Sequence, residues 1–195
     1  MLAIGADLKP ARLLEAYNQG IFPWYNAGEP ILWWSPDPRM VLKPDAIKIS
    51  KSMRKSLRDD GWKITYNTCF LEVLLHCKRI EREGQNGTWI TNEMVAAYME
   101  FHKLGYAESV EVWQGDELVG GLYGVNLKEK KIFCGESMFT RVSNASKVAL
   151  IYLSQKLEKE QYRLIDCQVY TPHLESMGAL EIPRQEFLAY LQPKV

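Results

Sequence analysis

Three strand-like runs follow one another with very little chain between them. Ser109–Trp113 and Glu117–Val125 are separated only by Gln114, Gly115 and Asp116, and the third run, Lys131–Met138, follows the charged turn Asn126–Lys130. Runs joined by turns this short read as an antiparallel meander. The flanking segments have other periods. Trp62–Asn67 alternates as a strand does, while Cys69–Ile80 and Asn92–Leu104 read as helices, the second capped by Thr91 and stopped by Gly105. Asn144–Glu160 has apolar residues at 148, 149, 152, 153 and 157 and reads as a longer helix. Leu164–Val169 is a buried strand, and Leu174–Met177 opens a short helix that Gly178 ends. From residue 62 the expected order is therefore β-α-α-β-β-β-α-β-α-β, with no internal repeat.

The first 61 residues have a different texture. Pro10–Gln19 reads as a short helix, with proline near its start, Leu13, Leu14 and Tyr17 at helical spacing, and Gly20 to end it. The stretch GIFPWYNAGEPILWWSPDPRMVL follows, where Pro23, Pro30, Pro36 and Pro38 rule out a long helix. Its tryptophans, Trp24, Trp33 and Trp34, fill the core of a loop-rich unit or make an aromatic platform for a flat ligand such as a nucleobase. Next comes a run with no acid, in which Lys48, Lys51, Arg54, Lys55 and Arg58 are the cations. Met53 and Leu57 lie four apart within it, so the run reads as a short amphipathic helix with a basic face. That face is either solvated surface or a phosphate-binding patch. The expected division is a small Pro/Trp-rich N-terminal domain over 1–61 and a larger domain over 62–195.

Composition narrows the class without choosing a ligand. The 195 residues are 47% apolar and 25% charged, as in soluble globular proteins. The 24 basic residues cancel the 24 acidic ones, so only a local patch could signal nucleic acid. No apolar run approaches the ~18–20 residues of a membrane span. The opening MLAIGADLKPARL has no basic segment followed by a long apolar stretch, as a secretory signal would. Cys69, Cys77, Cys134 and Cys167 form no C-x-x-C pair, so they read as reduced thiols of a cytoplasmic protein, with no metal site.

The element order matches the GNAT-type acyltransferase architecture, an α/β (α+β) fold whose mixed sheet splits open near its fourth strand and holds an acyl donor in the gap. Members that use coenzyme A grip its pyrophosphate with backbone amides of a glycine-rich loop before the next helix. Here that position reads RVSNASK, residues 141–147, without glycine, which argues against coenzyme A as carrier. Polar residues inside apolar strands mark where chemistry could sit, because burying a charge is costly without a partner. Glu136 lies in FCGESMF, and Asp166 and Gln168 lie in LIDCQV. Strand alternation turns Asp166 and Gln168 to one face and Cys167 to the other, where core packing is its expected role. If the sheet splits as the architecture implies, Glu136 and the Asp166–Gln168 pair line one cleft. The alternative is a buried ion pair, for example with Arg141 or Lys147. His76 and His102 read as structural or surface residues. His173 follows the LIDCQ strand and falls near the cleft, but no serine or cysteine nucleophile motif makes it part of a triad.

The strings GIFPWYNAGEPILWWSPDPRMVL, GTWIT, HKLGYAESVEVW, ELVGGLYGV, FCGESMFTRVSNASKVAL, LIDCQV, TPHLESMGALEIPR and EFLAYL occur in that order over nearly the whole chain. Together the chain resembles the leucyl/phenylalanyl-tRNA–protein transferase family, WWSPDPR, GESMF-x-R and LIDCQ being the most specific strings. The resemblance implies a small N-terminal domain plus a GNAT-like domain with no cofactor, neither coenzyme A nor a metal; a monomer is the default expectation. It implies transfer of Leu or Phe, and less readily Met, from charged tRNA to the N-terminal amine of proteins beginning with Arg or Lys, which marks them for degradation in the N-degron pathway. By motif, Trp24 and Trp89 would contact the aminoacyl-adenosine end. Leu122, with Leu153 and Leu157 from the facing helix, would line the side-chain pocket. Such a pocket discriminates at only ~1–3 kcal/mol per methylene, so Leu against Phe should be leaky. Lys48, Lys51, Arg54, Lys55 and Arg58 would hold the tRNA backbone.

The reaction implied is aminolysis of an activated ester, which needs mainly positioning. A family proposal makes the LIDCQ glutamine, here Gln168, the general base. An amide is too weakly basic to hold a proton, so Gln168 is better read as accepting a hydrogen bond from the amine and orienting it. Asp166 would then polarise that arrangement, and Glu136 or Asp166 would pair with the cationic side chain of the acceptor. Two other classes stand beside this one. The first is a GNAT enzyme with a small-molecule acyl donor, against which the glycine-free loop counts. The second is a non-catalytic tRNA-binding module, against which the polar cluster in apolar strands counts.

Overall fold

The computed structural model describes residues 1–80 and 88–192. The N-terminal part holds β1 (Ala3–Ile4), α1 (Pro10–Asn18), β2 (Phe22–Pro23), β3 (Leu32–Trp34), β4 (Arg39–Leu42) and α2 (Lys51–Asp59). Then come β5 (Lys63–Tyr66), α3 (Phe70–Arg79), α4 (Asn92–Lys103), β6 (Ala107–Gln114), β7 (Glu117–Leu127) and β8 (Ile132–Thr140). The chain ends with α5 (Ala145–Lys159), β9 (Leu164–Gln168), α6 (Pro172–Ser176), β10 (Leu180–Ile182) and α7 (Arg184–Leu191). From β5 to β10 the order is the one expected from the sequence, and α7 is added after it.

Among the described residues, seven strands form one sheet in the order β10-β4-β9-β8-β7-β6-β5, and β1, β3 and β2 form a small antiparallel sheet. Within the large sheet β8 and β9 run parallel, and the other neighbours are antiparallel, so the sheet is mixed. The parallel pair is short. Ile132, Phe133 and Cys134 pair with Leu164, Ile165 and Asp166. Beyond that point β8 runs on to Thr140 while β9 ends at Gln168, and the sheet opens between them.

Alternation divides the core between the two faces. Leu122, Val110, Val112 and Phe133 pack with Val148, Ala149, Leu153 and Leu157 of α5. Tyr123, Val125 and Cys134 belong to the core on the other face, with Val73 and Leu74 of α3 and Tyr98 and Phe101 of α4. Helix α5 buries side chains nearly all round its axis, as a helix seated in a sheet must. Each such leucine contributes roughly 1.5–3 kcal/mol on leaving water. Asn126–Leu127, expected in a turn, instead extend β7, because Leu127 pairs with Ile132 and is buried.

The division expected at residue 61 is not a break in the large sheet. Strand β4 comes from the N-terminal stretch yet lies between β9 and β10. Met40, Val41 and Leu42 are all buried, and a fully apolar strand of this kind belongs inside a sheet covered on both faces. Among the described residues, no helix is long and apolar enough to cross a membrane.

Candidate functional site

Two irregularities in the ladders face each other across the opening. On β8, Ser137 pairs with Tyr123 and Gly135 with Gly124, so Glu136 is an extra residue opposite none. On β9, Gln168 pairs with Met40 and Asp166 with Val41, so Cys167 is extra. Such bulges bend a strand and re-aim side chains. Gly124 is required beside the first: a Cβ there would lie 2.3 Å from the Cys134 carbonyl oxygen. Gln168 takes φ +67°, a left-handed conformation that is costly for a side-chain-bearing residue.

A cavity of about 410 Å³ occupies the opening. Glu136, Cys167 and Gln168 line it, and Asp166 does not. Simple alternation therefore misplaces this strand. Asp166 points away from the cleft, and the bulge brings both Cys167 and Gln168 into it. Cys167 was expected to face the core on the other side. It forms part of the cavity wall, where burial pushes its thiol well above the usual range and keeps it neutral.

Asp166 is sealed, 0% exposed, against Arg39, which is 1% exposed. Arg39 donates Nε to Oδ1 at 2.8 Å and Nη2 to Oδ2 at 2.7 Å, a bidentate pair, and Nη1 to the Gly20 carbonyl at 3.0 Å. Its guanidinium also lies over the rings of Phe187, at 4.5 Å, and Phe22, at 5.0 Å. Burial works against the arginine charge, and Asp166 beside it outweighs that and raises its pKa. The partner of the buried carboxylate is thus Arg39, not the Arg141 or Lys147 suggested by nearness in sequence. Asp166 Oδ1 also accepts the Gln168 backbone N–H at 3.0 Å, which fixes the peptide at the strained residue.

Glu136 is the carboxyl that reaches the cavity. Its Oε1 accepts from Tyr17 Oη at 2.7 Å and from Gln168 Nε2 at 2.8 Å, and its Oε2 accepts from Tyr98 Oη at 3.2 Å. The two tyrosine hydroxyls also bond to each other. Desolvation raises the carboxyl from the usual 4.5 to about 7, against the three hydrogen bonds and with help from Asp166. The raised pKa puts the carboxyl's titration near neutrality, as in many functional sites. Because Gln168 Nε2 is spent on Glu136, Oε1 is the amide atom left to accept from a ligand.

The rest of the cavity is mostly apolar. Leu122, Phe133, Leu150, Leu153, Ile165 and Leu174 line it, with Trp24 and Trp89 as its tryptophans. Leu122 and Leu153 are where the sequence led one to look. Leu157 is fully buried in the core beneath α5 and does not line the cavity, whereas Leu150, one turn before Leu153, does. The Pro/Trp stretch divides its tryptophans between core and cavity. Trp33 is 5% exposed and anchors its indole N–H on the Gly5 carbonyl, while Trp24 stands on the cavity 36% exposed. Trp34 supports Trp24 by donating Nε1 to its carbonyl at 2.8 Å.

Helix α2 is capped by Ser50, whose Oγ accepts from Met53 N–H, and it buries Met53 and Ser56. Lys48, Lys51, Arg54, Lys55 and Arg58 are exposed. Arg58 pairs with Asp59 at 2.8 Å, so Lys51, Arg54 and Lys55 make the basic face of the helix, with Lys48 before its cap. Lys48 N–H donates to Met177 O just after α6, the helix whose His173 and Leu174 line the cavity, so the basic run begins beside the site. His102 stacks on Phe70 and His76 on Phe139, both as structural residues.

Sequence reasoning did not find Arg39, Tyr17 and Tyr98, which hold Asp166 and Glu136 in place. Arg39 carried a usable signal, a cation at the head of the apolar run Met40–Leu42. The tyrosines carried none, because aromatic residues at helical spacing are ordinarily core.

The model of the leucyl/phenylalanyl-tRNA protein transferase family matches residues 41–192, and that of the family's N-terminal domain matches residues 6–37. A leucyl/phenylalanyl-tRNA–protein transferase of Flavobacterium johnsoniae is 62% identical over 194 residues, covering 100% of this chain and 91% of the relative. One of Christiangramia forsetii is 60% identical over 191 residues, covering 98% and 90%. Among solved structures, a GCN5-related N-acetyltransferase from Kribbella flavida superposes with a TM-score of 0.44 at 10% identity, covering 83% of this chain and 56% of that one.

Proposed function

The chain belongs to the leucyl/phenylalanyl-tRNA protein transferase family, an aminoacyltransferase family acting from tRNA to protein, and on that premise we propose its donor, acceptor and residue roles. The donor is Leu- or Phe-tRNA, less readily Met-tRNA, and not coenzyme A. The acceptor is the N-terminal amine of a protein beginning with Arg or Lys, which the added residue commits to N-degron degradation. The enzyme acts as a monomer in the cytoplasm.

The observation that carries this reading is the Gln168–Glu136 hydrogen bond at the junction of an apolar cavity and two tryptophans. The apolar wall suits an unbranched-at-Cβ side chain of Leu or Phe size, while Trp24 and Trp89 offer faces on which adenine can stack, worth about 1–3 kcal/mol per base. The basic face of α2 suits sequence-tolerant contact with tRNA phosphates. In the proposed roles, Gln168 Oε1 accepts from the attacking amine and orients it. Glu136 holds the Gln168 amide and faces the acceptor's cationic side chain. Asp166, closed off by Arg39, acts only through the Gln168 backbone. This assigns acceptor recognition to Glu136 rather than Asp166.

The test is transfer of radiolabelled Phe or Leu from tRNA to a peptide beginning with Arg, with an acetyl-capped copy as control. Label on the free peptide alone is expected. Label on neither peptide, from folded protein with both tRNAs, would refute the reading in favour of a tRNA-binding module.

A further inference from the structure

The string EFLAYL, residues 186–191, has no place in these roles. It forms most of α7, and that helix is tied down at both ends. At its start the Arg184 backbone N–H donates to Asp37 Oδ1 at 3.0 Å and Arg184 Nη1 to the Ser35 carbonyl at 2.9 Å, both just ahead of β4. At its end Arg163 Nη2 donates to the Tyr190 carbonyl and Lys130 Nζ to the Leu191 carbonyl. Between these anchors the helix presents Phe187, which is fully buried. The Arg39 guanidinium lies 4.5 Å from the centre of its ring. The same ring meets the backbone that Arg39 bonds: a Cβ at Gly20 would come within 2.9 Å of Phe187 Cε1, and the Gly20 carbonyl accepts from Arg39 Nη1.

A guanidinium makes its hydrogen bonds in its own plane and none from its faces. Away from water, an aromatic ring supplies favourable electrostatics at a face through the negative potential of its π-system. Arg39 is sealed from water, and its bonds in the plane go to Asp166 and Gly20. Phe187 and Phe22 are the rings set against it. Phe22 also lines the cavity, whereas Phe187 is not among the described residues that do. An effect of Phe187 on the reaction is therefore not a direct contact with substrate. The indirect path is short. Arg39 fixes both Asp166 oxygens, and Asp166 Oδ1 accepts the Gln168 N–H at 3.0 Å. Gln168, at φ +67°, is the middle of a three-residue turn closed by the Val169 N–H on the Cys167 carbonyl at 2.8 Å. A turn of this hand is strained and keeps its shape only where its surroundings enforce it.

We propose that Phe187 is a positioning residue for transfer: its ring fixes the Arg39 guanidinium, and through Arg39 and Asp166 it fixes the Gln168 peptide. Helix α7 thus serves the site from outside the cavity. This rests on the transferase reading above.

The experiment measures kcat and KM for Phe-adenosine as donor and an Arg-initiated peptide as acceptor. The proteins are wild type, Phe187→Leu, and a series with mono-, di- and trifluorophenylalanine at position 187. Fluorine keeps the shape of the ring and progressively withdraws the negative potential of its face, so the series separates electrostatic fixing from packing. Wild type is measured first, and its failure to transfer would remove the transferase reading and this proposal with it. Given wild-type transfer, Phe187→Leu should lose kcat by about 10-fold or more, as a misplaced orienting group does. KM for both substrates should stay within about twofold, because no surface that binds them has changed. Across the fluorinated series kcat should fall stepwise. Unchanged kcat in Phe187→Leu would overturn the proposal, as would a loss confined to KM or a flat fluorinated series. If Phe187→Leu does not fold, the fluorinated series decides alone.

Discussion

Replacing Arg39 with methionine removes one partner of a pair that is sealed from water on both sides. The substitution keeps an unbranched apolar stem and deletes two hydrogen bonds to Asp166, one to the Gly20 carbonyl and two ring contacts. Breaking a buried pair in this way costs about 3–5 kcal/mol, because the remaining carboxylate is left uncompensated. The two bonds to Asp166 give a comparable figure, about 3–6 kcal/mol, since hydrogen bonds to charged groups are worth about 1.5–3 kcal/mol each. For a domain of this size ~1 kcal/mol shifts Tm by ~2–4 °C, so Arg39→Met should melt roughly 6–20 °C below wild type. Urea titration and thermal melting of wild type, Arg39→Met and Arg39→Met/Asp166→Leu give the comparison. The double variant should regain most of the stability, since well-packed apolar replacements of buried pairs are often neutral. It should not regain transfer, because Gln168 N–H has lost its acceptor and the strained peptide is free to relax. A loss below about 1 kcal/mol in Arg39→Met, or full activity in the double variant, would refute the claim that this pair holds the strand end at the candidate site.

Three further outcomes are expected. Glu136 is raised from 4.5 to about 7, so the folded state binds more protons than the unfolded chain between those values, and stability should fall as pH rises through that window. Over the same upper range kcat should rise, because the carboxylate form accepts the Gln168 amide; Glu136→Gln should flatten both dependences, and an unaltered profile would count against this assignment. Reversing Lys51, Arg54 and Lys55 to Glu should raise KM for charged tRNA and weaken its salt dependence while sparing Phe-adenosine; equal damage to both donors would place the defect in folding. Trp24→Ala or Trp89→Ala should raise KM for Phe-adenosine by roughly 5- to 150-fold, the equivalent of losing one stacked base, and an unchanged KM would remove the stacking role.

Much of the fold was legible because its elements are locally consistent. Thr91 caps α4 with a bond from Met94 N–H, a signal that stands in the sequence, and Ser50 caps α2 from Met53 N–H in the same way. The meander from β6 to β8 follows from its turns. What could not be read was the path of β4, whose four residues look like the end of a proline-rich loop. Its place between β9 and β10 depends on partners more than a hundred residues away. The site was legible in composition and misread in direction. Glu136, Asp166 and Gln168 announced themselves as polar residues in apolar strands, but which of them reaches the cleft is decided by ladder irregularities that no period-two argument contains.

Those irregularities explain why the site lies where the sheet parts. Two parallel strands that stayed paired past Cys134 and Asp166 would satisfy each other's backbone and leave no room for a ligand. A bulge on each strand immediately beyond the last pair ends the ladder and turns Glu136 and Gln168 toward each other, so one feature both opens the cavity and arms it. The cost is a glutamine at positive φ and a carboxyl short of water, and the surroundings offset it with Arg39–Asp166 beneath one strand and Tyr17 and Tyr98 beneath the other. These supports come from α1, β4 and α4, and two of the three are N-terminal to residue 61. The N-terminal segment therefore holds the candidate site in place as well as carrying basic side chains. Deleting residues 1–42 should abolish transfer even to Phe-adenosine, which needs no tRNA contact. A truncated chain that folds and keeps that reaction would show that the split strands hold their own geometry.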